Sequence, residues 1–367
     1  MKNIMKIMFA LLTSISLIGS VSAGELTVTG TAKATYNIIS GGTAGANLSK
    51  GIGVTNDIDF GAKGELDNGW TWNYQAQLDP GDATTAGGGI DDTRLEITTG
   101  YGTLGVYITE GGLDTDNAAS QSVYSRPTDS GLATGMVDGA DVSGINNLQY
   151  HTPAGMLPFD SVFKVAYGTG QDATINSGNA TGTSTDRFGT SAQQYQIKMT
   201  PMDGLNVGAD YFTDSDVGEG TVDKVIQNLE SGSAFATYSA GGATFGYSET
   251  RKAPLILSTL TSNNHATEPN NATAAGGNED SARLYTNKKY SAAFNVNDSL
   301  SLSYEMEKSN RELIINAAEF DIKSQAVQAA YTMGGMTLAV SHGNTDNVGY
   351  ANNADSTQTL FGLTMAF

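Results

Sequence analysis

The chain closes on Thr357-Gln-Thr-Leu-Phe-Gly-Leu-Thr-Met-Ala-Phe367, where Phe361, Leu363, Met365 and Phe367 alternate with small or polar residues. A period of two puts these apolar side chains on one face of a strand. In water such a strand is a liability, because its edge is unpaired and its face is sticky. A sheet closed into a barrel has no edge, and a bilayer gives the apolar face a solvent. The expected fold is therefore all-β: a transmembrane antiparallel up-and-down β-barrel.

The N-terminus agrees. Lys2 and Lys6 precede an apolar run from Ile7 to Ile18, and Val21-Ser22-Ala23 offers small residues for cleavage. Residues 1–23 read as a secretory signal peptide, and 24–367 as the exported barrel. The apolar run is too short for a membrane-spanning helix, which needs roughly twenty residues. No later window holds a long apolar run. The chain has no cysteine, so no disulfide staples it, and 45 glycines.

The formal net charge is −19, and loss of Lys2 and Lys6 would make it two more negative. That argues against nucleic acid, which needs a basic footprint. A lumen of that sign would favour cations. Acids on long outer loops would contribute to the same total.

Short alternating segments are joined by two kinds of connection. Tight ones fall at Asp67-Asn-Gly69, Tyr101-Gly102, Pro153–Pro158, Pro201-Met-Asp203, Gly241-Gly242, Asn297-Asp-Ser299 and Gly334-Gly335. Long ones, rich in Gly, Asn, Asp, Thr and Ser, fall near 40–52, 80–90, 111–142, 170–189, 214–230, 252–282, 310–319 and 345–354. The two kinds alternate, so fifteen connections predict sixteen strands. Short turns at one end and long loops at the other mark an outer-membrane barrel.

Alternation also assigns faces. Trp70, Trp72, Tyr74, Ala76 and Leu78 oppose Thr71, Asn73, Gln75 and Gln77. Ile58, Phe60, Ala62 and Leu66 oppose Asp57, Asp59, Lys63 and Glu65, and Leu300, Leu302, Tyr304 and Met306 oppose Glu305 and Glu307. A basic residue facing the bilayer centre costs about 2–4 kcal/mol, so the charged faces must line water. Trp70, Tyr101, Tyr167, Tyr211, Tyr247, Tyr290 and Phe367 are expected at strand ends, as interfacial girdles.

The stretch Asp92-Thr-Arg-Leu-Glu-Ile-Thr-Thr-Gly-Tyr-Gly-Thr-Leu-Gly-Val-Tyr107 resembles the general diffusion porins of Gram-negative bacteria. The leader, the sixteen-segment rhythm and terminal Phe367 resemble them too. The resemblance implies a homotrimer in outer-membrane lipid that passes small hydrophilic solutes and ions. It also implies a third loop folded into the lumen, its acids facing basic residues on the wall. Residues 111–142 would be that loop, carrying Asp114, Asp116, Asp129, Asp138, Asp141 and one base, Arg126. Parity turns Lys33, Lys63, Arg94, Lys164 and Lys198 toward the lumen as the basic wall. Such porins often carry Gly-Arg where this chain has Tyr107 and Ile108, so a basic residue is missing and a cation preference is expected.

Other signals point nowhere sharper. His151, His265 and His342 lie far apart in sequence and read as solvated residues in or near connections, without metal-ligand spacing. Asp114-Thr-Asp-Asn117 and Thr213-Asp-Ser-Asp216 could hold calcium weakly, and no other cofactor is expected. Residues 221–230 carry Val222, Ile226 and Leu229 at helical spacing and suggest a short helix in a loop. No catalytic motif is present, so the chain is expected not to be an enzyme. The alternatives are a substrate-specific channel and, further off, a barrel enzyme, or a surface adhesin or β-solenoid. A solenoid would need a repeat of fixed length, which this chain lacks.

Overall fold

A computed structural model describes residues 24–41, 49–78, 90–108, 110–129, 134–169, 189–217, 225–254, 256–257, 282–313 and 319–367. The expected leader, residues 1–23, lies outside these. The strands in order are β1 (Glu25–Gly41), β2 (Ser49–Glu65), β3 (Thr71–Leu78), β4 (Ile90–Thr99), β5 (Gly102–Ile108) and β6 (Asn147–His151). Next come β7 (Val162–Thr169), β8 (Gly189–Met202), β9 (Leu205–Val217), β10 (Val225–Gln227), β11 (Glu230–Ala240) and β12 (Ala243–Ala253). The last are β13 (Ile256–Leu257), β14 (Ala282–Asn295), β15 (Leu300–Leu313), β16 (Ile322–Met333), β17 (Met336–Asp346) and β18 (Ser356–Ala366).

Sixteen of these close into one antiparallel barrel, and β10 and β13 pair separately outside it. The closing seam joins β1 to β18 from Thr31↔Ala366 to Gly41↔Ser356. Gly30 and Phe367 exchange backbone hydrogen bonds at 2.9 and 3.0 Å, so pairing continues through the last residue. Every wall strand thus satisfies its neighbours' backbone, the condition for crossing hydrocarbon.

The tight turns form where the sequence places them. At the β2–β3 turn Gly69 takes φ +80°, and its N–H donates to Leu66 O at 2.8 Å. At the β14–β15 turn the Asn297 carboxamide accepts from the N–H groups of Ser299 and Leu300, both at 2.9 Å. This is the local side-chain bonding that lets Asn stop a strand.

The faces follow the predicted parity. Leu302, Tyr304, Val327 and Leu338 are exposed on the outer surface, where lipid would cover them. Asn73, Gln75 and Gln77 point inward and bond Glu96 and Asp59. The inner wall is not polar throughout, however. Phe212, Tyr285 and Ile322 also face inward and are buried under loop residues.

Three local expectations are corrected. Within 221–230, Val225–Gln227 is a strand that pairs with Ile256–Leu257, so helical spacing lost to cross-loop pairing. Tyr211, Tyr247 and Tyr290 lie inside β9, β12 and β14 rather than at strand ends, and Tyr247 packs on Tyr290 at 5.1 Å. His342 lies within β17 and hydrogen-bonds Thr359 at 2.8 Å, while His151 ends β6; His265 lies outside the described residues.

β5 and β6 have seven and five residues, too short to span the membrane on their own. The chain leaves the wall between them and turns into the lumen. That excursion is the third loop.

The outward face sets the first prediction. Leu95→Lys, on the outer side of β4, should lower stability by about 2–4 kcal/mol in urea titrations of protein folded into vesicles. Asn73→Lys, on the wet side beside Glu96, should change it far less.

Candidate functional site

The third loop follows the wall as a second layer. Its first anchor is Leu113, whose N–H donates to Gln194 at 3.1 Å and whose carbonyl accepts from Gln196 at 2.7 Å. Thr115 then donates twice to Asp210, at 2.7 and 2.8 Å. Ser248 reaches Asp116 O at 2.7 Å, and Ser120 and Ser122 both donate to Glu305, at 2.6 and 2.7 Å. Val123 and Tyr124 are held by Ser303 and Gln328, each at 3.0 Å. The loop thus runs from β8 to β16. At its tip a side chain at Gly362 of β18 would overlap the Tyr124 ring, so only glycine admits it there.

Beneath the loop is a buried ion network. Lys289 of β14 is 1% exposed and lies 3.2 Å from Asp138, 3.5 Å from Glu307 and 3.8 Å from Asp116. Arg126 lies 2.8 Å from Asp129, 3.5 Å from Glu307 and 3.6 Å from Asp138. Both cations also donate to Asn117. Two cations face four carboxylates, so the joint is tight but remains formally negative. Burial alone would lower the Arg126 pKa, yet Asp129, Glu307 and Asp138 raise it. Asp116 is held below the usual carboxylate range against its burial, by Asp114, Lys289 and the Gly139 N–H.

Asp114 behaves oppositely. Burial first, then hydrogen bonds to Asp116 and Asp141, push its pKa up to about 10. Both causes favour the protonated carboxyl over the carboxylate. Among the described residues, no group of three or more His, Asp or Glu could hold a metal ion. In the Asp114–Asn117 run the Asn117 carboxamide oxygen accepts from Arg126 and Lys289.

The loop acids therefore do not simply look across at the wall bases. Asp116 is buried against Lys289 and presents nothing to the aperture. Asp141 folds back onto Ser143, at 2.6 and 2.7 Å. Asp129 and Asp138 keep 55% and 42% of their side chains exposed, so they are the loop's charged face toward water. The physical reason is desolvation: a loop laid on a polar wall must pair the charges it covers.

The predicted basic wall divides in three. Lys33 Nζ lies 4.6 Å above the Tyr124 ring, in contact with the loop tip. Arg94 is paired with Glu110 at the loop's start, at 2.7 Å. Lys63 is exposed near the short-turn rim and pairs with Glu25 at 3.6 Å, away from the loop. Lys164 and Lys198 stand nearer the same rim on β7 and β8.

Sequence reading missed two parts of this site. Lys289 is one; the pair Lys288-Lys289 must put one ammonium on each face of a strand, and that was the available signal. The other is Tyr350, from the last long loop. Its hydroxyl lies 2.6 Å from Ser309, its ring packs on Tyr285 at 5.9 Å, and the adjoining Gly349 N–H donates to Thr134 O of the third loop at 2.8 Å. A single large aromatic in an otherwise polar loop was the clue.

A closed barrel with a wet wall and an inward loop defines a passive membrane channel. The Gram-negative porin family matches residues 10–259, and the chain belongs to it. It is an outer-membrane diffusion channel. No curated protein matches it. Among solved structures, the anion-selective porin from Comamonas acidovorans has a TM-score of 0.64 at 12% identity, covering 94% of this chain and 100% of that one. The channel DcaP of Acinetobacter baumannii has a TM-score of 0.66 at 10% identity, covering 96% and 100%. OmpF of Salmonella typhi in complex with daunomycin has 0.62 at 14%, covering 94% and 98%. At these identities the likeness is one of fold.

Two outcomes test the loop's anchoring. Lys289→Met strands buried carboxylates and should destabilise the protein by about 3–5 kcal/mol, with noisier single-channel currents. Adding Glu307→Leu should restore part of the loss. For Asp114, a folded pKa above the unfolded one means folding binds a proton, so its contribution to stability declines as pH rises toward 10. Asp114→Asn should remove that decline in urea titrations and leave ion selectivity at pH 7 unchanged.

Proposed function

We propose that this channel passes small hydrophilic solutes as a homotrimer and prefers cations. The observation that carries the preference is the balance of charge left open around the loop. Asp57 and Asp59 face the lumen from β2 with no ion-pair partner among the described residues. Among the described residues Asp59 accepts from Gln75 and Gln77, at 3.3 and 3.2 Å. Asp129 and Asp138 add exposed acid from the loop side. On the basic side Arg94, Arg126 and Lys289 are paired; among the described residues Lys33 has no ion-pair partner at the loop tip, and Lys164 and Lys198 have none further down the wall. A narrow opening bordered mostly by carboxylates attracts cations and raises their local concentration. The anion-selective porin from Comamonas acidovorans shares the fold at 12% identity, and its selectivity belongs to that protein.

The trimer reading rests on the outer surface. Ala34, Tyr36, Ala329, Leu338, Val340 and Phe361 line an apolar depression across β1, β16, β17 and β18. Small residues there let a second barrel approach closely. Export through residues 1–23 completes the reading.

Planar bilayers test the selectivity. Under a potassium chloride gradient the reversal potential should be cation-biased. The double variant Asp57→Asn, Asp59→Asn should reduce the cation-to-anion permeability ratio several-fold. An anion-biased wild type would sink the preference. Migration as a heat-sensitive trimer in detergent tests the assembly.

A further inference from the structure

Below the loop, toward the short-turn mouth, the wall changes sign and character. Lys164 and Lys198 both face the lumen. The register sets Lys164 opposite Gln196 and Lys198 opposite Val162, so the two lysines are diagonal neighbours on adjacent strands. Neither ammonium has a carboxylate within ion-pair distance among the described residues. Glu96, which also faces the lumen, is already engaged by Tyr107 and Asn73.

An aromatic ring completes the patch. Phe235 of β11 faces inward, and its centroid lies 6.0 Å from Lys198 Nζ. Between them on β9 is Gly208, level with both residues in the ladder. A Cβ at 208 would lie 2.6 Å from the Phe235 ring and 3.1 Å from the Lys198 stem. The missing side chain is what lets ring and ammonium meet. Phe235 is half-buried on the wall, with the Lys198 side chain against it, whereas Phe212, further up β9, is buried under the loop.

Two unpaired ammonium groups beside a half-exposed ring are complementary to one class of solute. We propose that Lys164, Lys198 and Phe235 form a subsite for small aromatic carboxylates at the periplasmic mouth. The carboxylate sits between the two lysines, relieving their mutual repulsion. The solute's ring lies against Phe235 and the Lys198 stem. Inorganic anions or short aliphatic acids gain only the charge, and neutral aromatics only the ring. The proposal rests on the channel reading for its position in a transport path. It does not share the cation-preference argument, which concerns Asp57, Asp59 and the loop.

Benzoate, acetate and benzyl alcohol separate the contributions. Each is titrated into the detergent-solubilised trimer by calorimetry, and added to each side of a bilayer holding single channels. Benzoate should bind about five-fold more tightly than acetate, and benzyl alcohol should bind weakest. Benzoate should reduce the current from one side more than from the other. Phe235→Ala should bring benzoate down to the acetate level, and Lys198→Gln should weaken both acids. Equal binding of benzoate and acetate by the wild type would overturn the subsite, as would undiminished benzoate preference in Phe235→Ala. Calorimetric binding without any conductance would keep the subsite and defeat the channel reading instead.

Discussion

Everything in this molecule depends on the rule that hydrocarbon offers no partner to a bare peptide group. A sheet can cross a bilayer only when its first and last strands find each other. Here the seam runs the length of β18 and ends with Gly30 and Phe367 exchanging bonds. Once the sheet is closed, alternation does the remaining work. One set of side chains meets lipid and the other encloses water, and a lumen follows without any helix.

The lumen's shape then becomes an electrostatic problem. A loop that leaves the wall after β5 must lie against other wall residues, and these include Glu305, Glu307 and Lys289, all nearly inaccessible to water. Charges so deeply covered persist only in company. Lys289 and Arg126 supply that company from opposite sides, one from the wall and one from the loop. The residues that hold the loop are therefore spent on holding it. What remains for passing ions beside the loop is a smaller set, Asp57, Asp59, the outer halves of Asp129 and Asp138, and Lys33, with Lys164 and Lys198 further down the wall.

The fold was legible because its signals are local. Period-two alternation and turn residues such as Asn297 and Gly69 act on their immediate neighbours, so strand number and facing could be read directly. The site was only half legible. Parity puts Lys33, Lys63, Arg94, Lys164 and Lys198 on one face of their strands, but it says nothing of what a loop lays over them. Asp116 and Asp129 look alike in sequence, yet one is buried against Lys289 and the other is half in water. That difference is made by contacts with residues more than 170 positions away, such as Asn117 with Lys289. The Tyr350 anchor was hidden for the same reason.

The seam has a kinetic side as well. Asn37 and Gln358 are joined across 321 positions, and contacts of such separation must repay a loop-closure entropy that makes them slow to form. Until then β1 and β18 are both unpaired edges with one greasy face. Each could be captured by the matching edge of another copy, which would yield tangled oligomers in place of closed cylinders. Low local concentration, or a cellular holder that masks both edges during insertion, is thus a requirement imposed by the geometry of closure.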